Sequence, residues 1–152
     1  MKLLSQGTQY AISALIVISK NPDGGAISAA ELAKSLDCPA AYLSQILSKL
    51  KPSGVIKSQR GLNGGVYLGR PTHDITVYEV ITAIDGDSFF NSCFMGIEGC
   101  GSIEACPFHH IWSIEREKIK EWLQTTTFSD ITKIMSQDWF DVRLSFTNGA
   151  SI

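Results

Sequence analysis

Apolar residues occupy most sides of the segment 7–20 (GTQYAISALIVISK), which predicts a helix buried against several neighbours. The run NPDGG at 21–25 breaks it. Ser28 and Glu31 then stand three apart, the spacing of a capping box, so a short second helix (SAAELAKSL) is predicted to start there. After the turn Asp37-Cys38-Pro39, a third helix should run over about 40–51, because Leu43, Ile46, Leu47 and Leu50 recur at i, i+3, i+4 and i+7. Its opposite side carries Ala41, Gln45 and Ser48, flanked by Ser44 and Lys49. These are too small or polar for a core, so that face is free to touch something else.

The segments VIKSQ (55–59) and VYLGR (66–70) read as strands around the turn RGLNGG (60–65), which gives a β-hairpin. Three helices and a hairpin in this order make a winged helix-turn-helix, with the third helix as the one that enters a major groove. Beyond Pro71, Thr76 and Glu79 form a second capping box ahead of VYEVITAID, which stops near Gly86. Pro107 sits where a helix can begin. The segment to Leu123 carries Ile111, Trp112, Ile114, Ile119, Trp122 and Leu123, large side chains that imply a partner surface. Trp112, Ile119 and Trp122 suit a core shared between two subunits, and Ser129 can cap one more short helix, DITKIMSQ.

The expected fold class is therefore mostly α with a small β-hairpin wing. The organisation is a winged helix-turn-helix over 1–72, a linker helix, cysteine-rich loop and dimerisation helix over 73–135, and a tail over 136–152. The longest apolar run, Ala14 to Ile18, is far shorter than the roughly 20 residues that span a bilayer, so no membrane partner and a cytoplasmic location are expected.

The net charge of −2 argues against a nucleic-acid partner only while the chain is taken whole. Residues 1–73 hold eight basic against three acidic residues, a net of +5, and the remainder holds five against twelve, a net of −7. A basic surface for phosphates is joined to an acidic portion with another task. In the basic half, Gln45 can pair bidentately with adenine, and Ser44 and Ser48 can meet several base edges. Tyr42, Lys49 and Lys51 suit phosphates. Arg60 at the hairpin tip suits a narrow minor groove, and Gly61, Gly64 and Gly65 let the backbone turn tightly and approach a duplex.

The acidic half contains the stretch CFMGIEGCGSIEACPFHH, which gathers three of the four cysteines and two of the three histidines. In a reducing compartment such clusters are more often metal ligands or reactive thiols than disulfides. Three thiols with an imidazole beside them would suit an iron-sulfur cluster or a tetrahedral zinc ion, and spacing alone does not separate the two. Cys38 reads as a small buried hydrophobe. No second cluster of polar residues forms a substrate site, so an enzyme is not expected.

The segments YAISAL, AAYLSQILSKLKPSGVI, RGLNGGVYLGRP and ITVYEVITAIDG, followed by the cysteine loop and a long helix, resemble the Rrf-two family of bacterial winged-helix transcription regulators. The resemblance covers roughly residues 1–135. It implies a homodimer on a palindromic double-stranded operator, acting as a repressor that senses iron-sulfur, redox or nitric-oxide status. It also implies an iron-sulfur cluster, [2Fe-2S] ahead of [4Fe-4S], held by Cys93, Cys100 and Cys106, with His109 as fourth ligand because Cys106-Pro107-Phe108-His109 matches the step seen in one branch. The first gap here is C-x6-C, one residue longer than the family's usual C-x5-C. The alternative is a cluster-free member that senses through thiols, zinc or a small molecule.

Overall fold

A computed structural model describes residues 3–21, 24–101 and 104–135. Its elements are α1 (Gln6–Ser19), α2 (Ala29–Ser35), α3 (Ala40–Ser48), β1 (Ile56–Gln59), β2 (Gly65–Leu68), α4 (Val77–Asp85), α5 (Ser88–Asn91), α6 (His109–Thr125) and α7 (Phe128–Ile134). This is the mostly helical winged-helix architecture that the hydrophobic pattern predicts. The tail at 136–152 lies outside the described residues.

The capping box at α2 is fully formed: Ser28 Oγ accepts from the Glu31 N–H at 3.2 Å, and the Glu31 carboxylate accepts from the Ser28 N–H at 3.1 Å. At α4 only half of the expected box exists. Thr76 Oγ1 accepts from the Glu79 N–H at 3.2 Å, but the Glu79 carboxylate is taken by Arg70, whose Nη1 and Nη2 donate at 2.5 and 3.1 Å. A charge-assisted fork is stronger than the backbone contact it displaces. The last helix is capped by Thr127 with Asp130, not by Ser129, since Thr127 Oγ1 accepts from the Asp130 N–H and the carboxylate returns the bond to the Thr127 N–H. Helix α6 starts at His109, two residues beyond Pro107.

One core runs through the molecule. Ala11, Ala14 and Leu15 of α1 are fully buried with Leu32, Leu36, Leu43, Leu50, Val55 and Val80, and the same cluster includes Leu123 and Phe128. The hairpin pairs Ile56 with Leu68 and Gln59 with Gly65, and β2 gains a second partner where Ile27 and Val66 exchange hydrogen bonds of 2.9 and 2.8 Å. The wing is thereby seated on the entry to α2. A second seam, Val77 N–H to Thr126 O and Phe128 N–H to Ile75 O, both 3.0 Å, ties the end of α6 to the start of α4.

The buried hydroxyl of Thr8 needs a partner and finds one across the fold, donating to Asp85 Oδ2 at 2.7 Å. Ser5 Oγ donates to the same carboxylate at 2.5 Å, and its N–H does so at 3.2 Å. The last residue of α4 is thus fastened to the first turn of α1, and the cysteine loop leaves from that junction.

Candidate metal centre and nucleic-acid interface

From Gly86 the chain passes through α5 into the loop, and α6 folds back along it. Two bonds hold the loop's entry: Trp112 Nε1 donates to the Ser92 carbonyl at 2.9 Å and Arg116 Nη1 donates to it at 2.6 Å. Phe94 packs between Phe108 and Trp112, ring centroids 5.3 and 5.5 Å away. Phe94 and Trp112 line one small cleft with Cys93 and Cys100, and a second histidine, His110, is exposed.

The structure brings the three predicted cysteine ligands together and sets His109 against one of them. The three sulfurs of Cys93, Cys100 and Cys106 all lie within 4.8 Å of one another. Cys93 Sγ is 3.7 Å from Cys106 Sγ, and Cys100 Sγ is 3.7 Å from His109 Nδ1. Two donors on one tetrahedral ion, each bonded at about 2.1 to 2.3 Å, stand about 3.5 to 3.8 Å apart. Each pair therefore already has the spacing of two ligands on a single metal ion, and the soft donor set fits iron-sulfur or zinc. The extra residue in the first gap is accommodated.

Gly101 makes room for the histidine. Its backbone is in the left-handed region (φ +91°), and a Cβ there would meet His109 Cε1 at 2.5 Å. The imidazole lies against the bare Cα, which keeps Nδ1 beside Cys100.

The thiols do not titrate alike. Burial opposes the Cys93 thiolate, but backbone N–H groups of Ile97 and Met95 and the thiols of Cys100 and Cys106 outweigh it, holding Cys93 down to about 7. For Cys100 the Cys106 N–H favours the thiolate, yet burial and the neighbouring thiols prevail and push it up. Of these two thiols Cys93 gives up its proton the more readily. Burial and the adjacent Asp37 carboxylate push the Cys38 thiol up, in keeping with an inert packing residue.

On the other face, Ser44, Ser48 and Lys51 of the third helix and its end line one cleft with Ser58, Gln59 and Gly65 of the hairpin. Gln45 and Arg60 are exposed beside it. Ser58 and Gln59 were not among the candidates, although their polar run into Arg60 could have suggested them. Ser48 Oγ donates back to the Ser44 carbonyl at 2.8 Å, which leaves its oxygen as an acceptor. Lys49 Nζ reaches across to the Ile84 carbonyl at 3.3 Å, so the recognition helix and the end of α4 are joined directly. Tyr42, 37% exposed, stacks edge-on against Tyr10 at 6.0 Å.

The glycines divide. Gly61 has open space where a side chain would stand, whereas a Cβ on Gly64 would meet the Gln59 carbonyl at 2.6 Å and one on Gly65 the Ile27 carbonyl at 2.2 Å. The fold itself requires the last two.

A helix-turn-helix with a docked wing, joined to a pocket of clustered thiols, defines a class: transcription regulators of the winged-helix type. The Rrf2 family profile, described as an iron-dependent transcriptional regulator, matches residues 4–134. The HTH-type transcriptional regulator IscR of Yersinia enterocolitica is 31% identical over 142 residues, 93% of this chain and 84% of the relative. Among solved structures, CymR, the global cysteine regulator of B. subtilis, superposes with a TM-score of 0.74 at 26% identity, covering 90% of this chain and all of that one. IscR of T. potens does so at 0.70 and 25% identity, covering 90% and 93%. The chain belongs to the Rrf2 family of transcription regulators. Among the described residues no helix is long and apolar enough to cross a membrane.

Proposed function

We propose that this regulator is a homodimeric, operator-binding repressor whose hold on DNA answers to a [2Fe-2S] cluster on Cys93, Cys100, Cys106 and His109. The observation that supports this reading is the convergence of three thiol sulfurs within 4.8 Å of one another, with His109 Nδ1 3.7 Å from Cys100 Sγ, a soft donor set suited to a metal-sulfur centre. When bound, such a cluster supplies a centre that reacts with oxidants and nitric oxide and that depends on iron supply. The protein's own part is mechanical. Cys93 follows the Asp85 junction by eight residues, and that junction holds the first turn of α1 and, through the Ile84 carbonyl, Lys49 at the end of the recognition helix. Two arrangements of the loop would bias two settings of that helix.

Duplexes selected from a random pool by protein purified without oxygen should share a palindrome, with half-sites about 34 Å apart. Gln45→Ala should lose about 1–3 kcal/mol at one base-pair position of each half-site and relax the preference there, as read by fluorescence anisotropy. Selection of no shared sequence would sink the operator reading. A colourless protein carrying one zinc per chain would replace the cluster with a Cys3His zinc site.

Dimerisation rests on α6. Ile119 packs against the core of its own subunit and Trp112 against Phe89 and Phe94, while Ile111, Ile114 and Trp122, exposed by 68, 44 and 60%, form a separate stripe. Two such stripes packed across a two-fold axis would bury one another. Trp122→Lys should weaken the dimer by about 2 kcal/mol or more and give monomers at micromolar concentration in sedimentation velocity. An unchanged dimer would place the interface elsewhere.

A further inference from the structure

The guanidinium of Arg116 is unusual in its surroundings. It lines the same small cleft as Cys93, Cys100, His109 and Trp112. Its Nη1 is spent on the Ser92 carbonyl, one residue before the first ligand, and its Nε is buried without a hydrogen-bond partner. No carboxylate among the described residues forms an ion pair with it, whereas nearby Lys118 and Lys120 pair with Glu115 and Glu117. A permanently charged group with a buried, unsatisfied donor calls for a negative neighbour. The cleft offers one only when its thiols are deprotonated.

We propose that Arg116 is a positioning residue that compensates the negative charge of the metal-loaded thiolate site and thereby sets its reduction potential. The inference rests on the cluster reading above. Three thiolates outnumber the positive charge of an oxidised two-iron core by one, and accepting one electron adds a further negative charge with no bond made or broken. A fixed cation close by favours the reduced form more than the oxidised one.

The test is an anaerobic titration with dithionite as electron donor, followed by visible absorption, on wild type, Arg116→Gln, Arg116→Lys and Trp112→Phe. Removing the charge should shift the one-electron equilibrium about tenfold toward the oxidised form, a fall of about 59 mV. Arg116→Lys should stay within about twofold of wild type, and so should Trp112→Phe, which removes the other bond to the Ser92 carbonyl but no charge. An unchanged Arg116→Gln, or an equal shift in Trp112→Phe, overturns the proposal. If Arg116→Gln fails to retain iron, retention by Arg116→Lys supports the role of charge and loss from both refutes it. Wild-type protein without cluster absorption would instead remove the parent reading, and the proposal with it.

Discussion

Cys100→Ala protein purified without oxygen is expected to be colourless, with iron and acid-labile sulfide reduced to background. Cys100 stands at the meeting point of the site: its sulfur lies within 4.8 Å of those of Cys93 and Cys106 and 3.7 Å from His109 Nδ1. In the proposed site its loss would remove one of three thiolate donors and leave His109 without the sulfur it stands against. Loss of an outer-shell partner alone typically weakens metal binding about 10–100-fold, and loss of a direct ligand should exceed that. Cys38→Ala is the control, because that thiol sits in the helix-turn-helix turn, packed against the core. It should keep the wild-type spectrum. A brown Cys100→Ala protein with full iron would mean that Cys100 is not a ligand and that the donors assemble differently.

The elements that could be read from the chain are those whose signals are local. The α2 box needs only Ser28 and Glu31, and α3 needs only its own leucines. The α4 box failed by half because the competitor for Glu79 is Arg70, nine residues away, just beyond a hairpin whose course the periodicity does not specify. At the last helix, Thr127-x-x-Asp130 prevails because it closes both bonds, whereas Ser129 lies inside the first turn. The candidate donors were visible because thiols and imidazoles gathered in one loop have few other uses. What holds the set in place was not. The fit of His109 on Gly101, and the grip of Trp112 and Arg116 on Ser92, depend on α6 folding back across the loop. The same holds for Asp85, whose partners Ser5 and Thr8 lie 80 and 77 residues away.

Gly65→Ala is expected to destabilise the protein by about 3 kcal/mol, lowering the thermal midpoint by roughly 10 °C. Two causes act together. At φ +154° an alanine is strained wherever it is put, and here its Cβ would also meet the Ile27 carbonyl oxygen at 2.2 Å and carbon at 2.3 Å. The obstacle is backbone, held by the Ile27–Val66 bonds of 2.8 and 2.9 Å, and cannot swing aside as a side chain would. Relief requires the wing to leave the entry of α2, which opens the cleft that Gly65 shares with Ser44, Ser48 and Lys51. Operator affinity should therefore fall along with the midpoint. Gly61→Ala separates the causes: φ is +112° but nothing lies within 4 Å, so only the strain, about 1–2 kcal/mol, should appear. Were Gly65→Ala to keep its thermal midpoint and lose only DNA binding, the glycine would serve approach to the duplex rather than the seating of the wing.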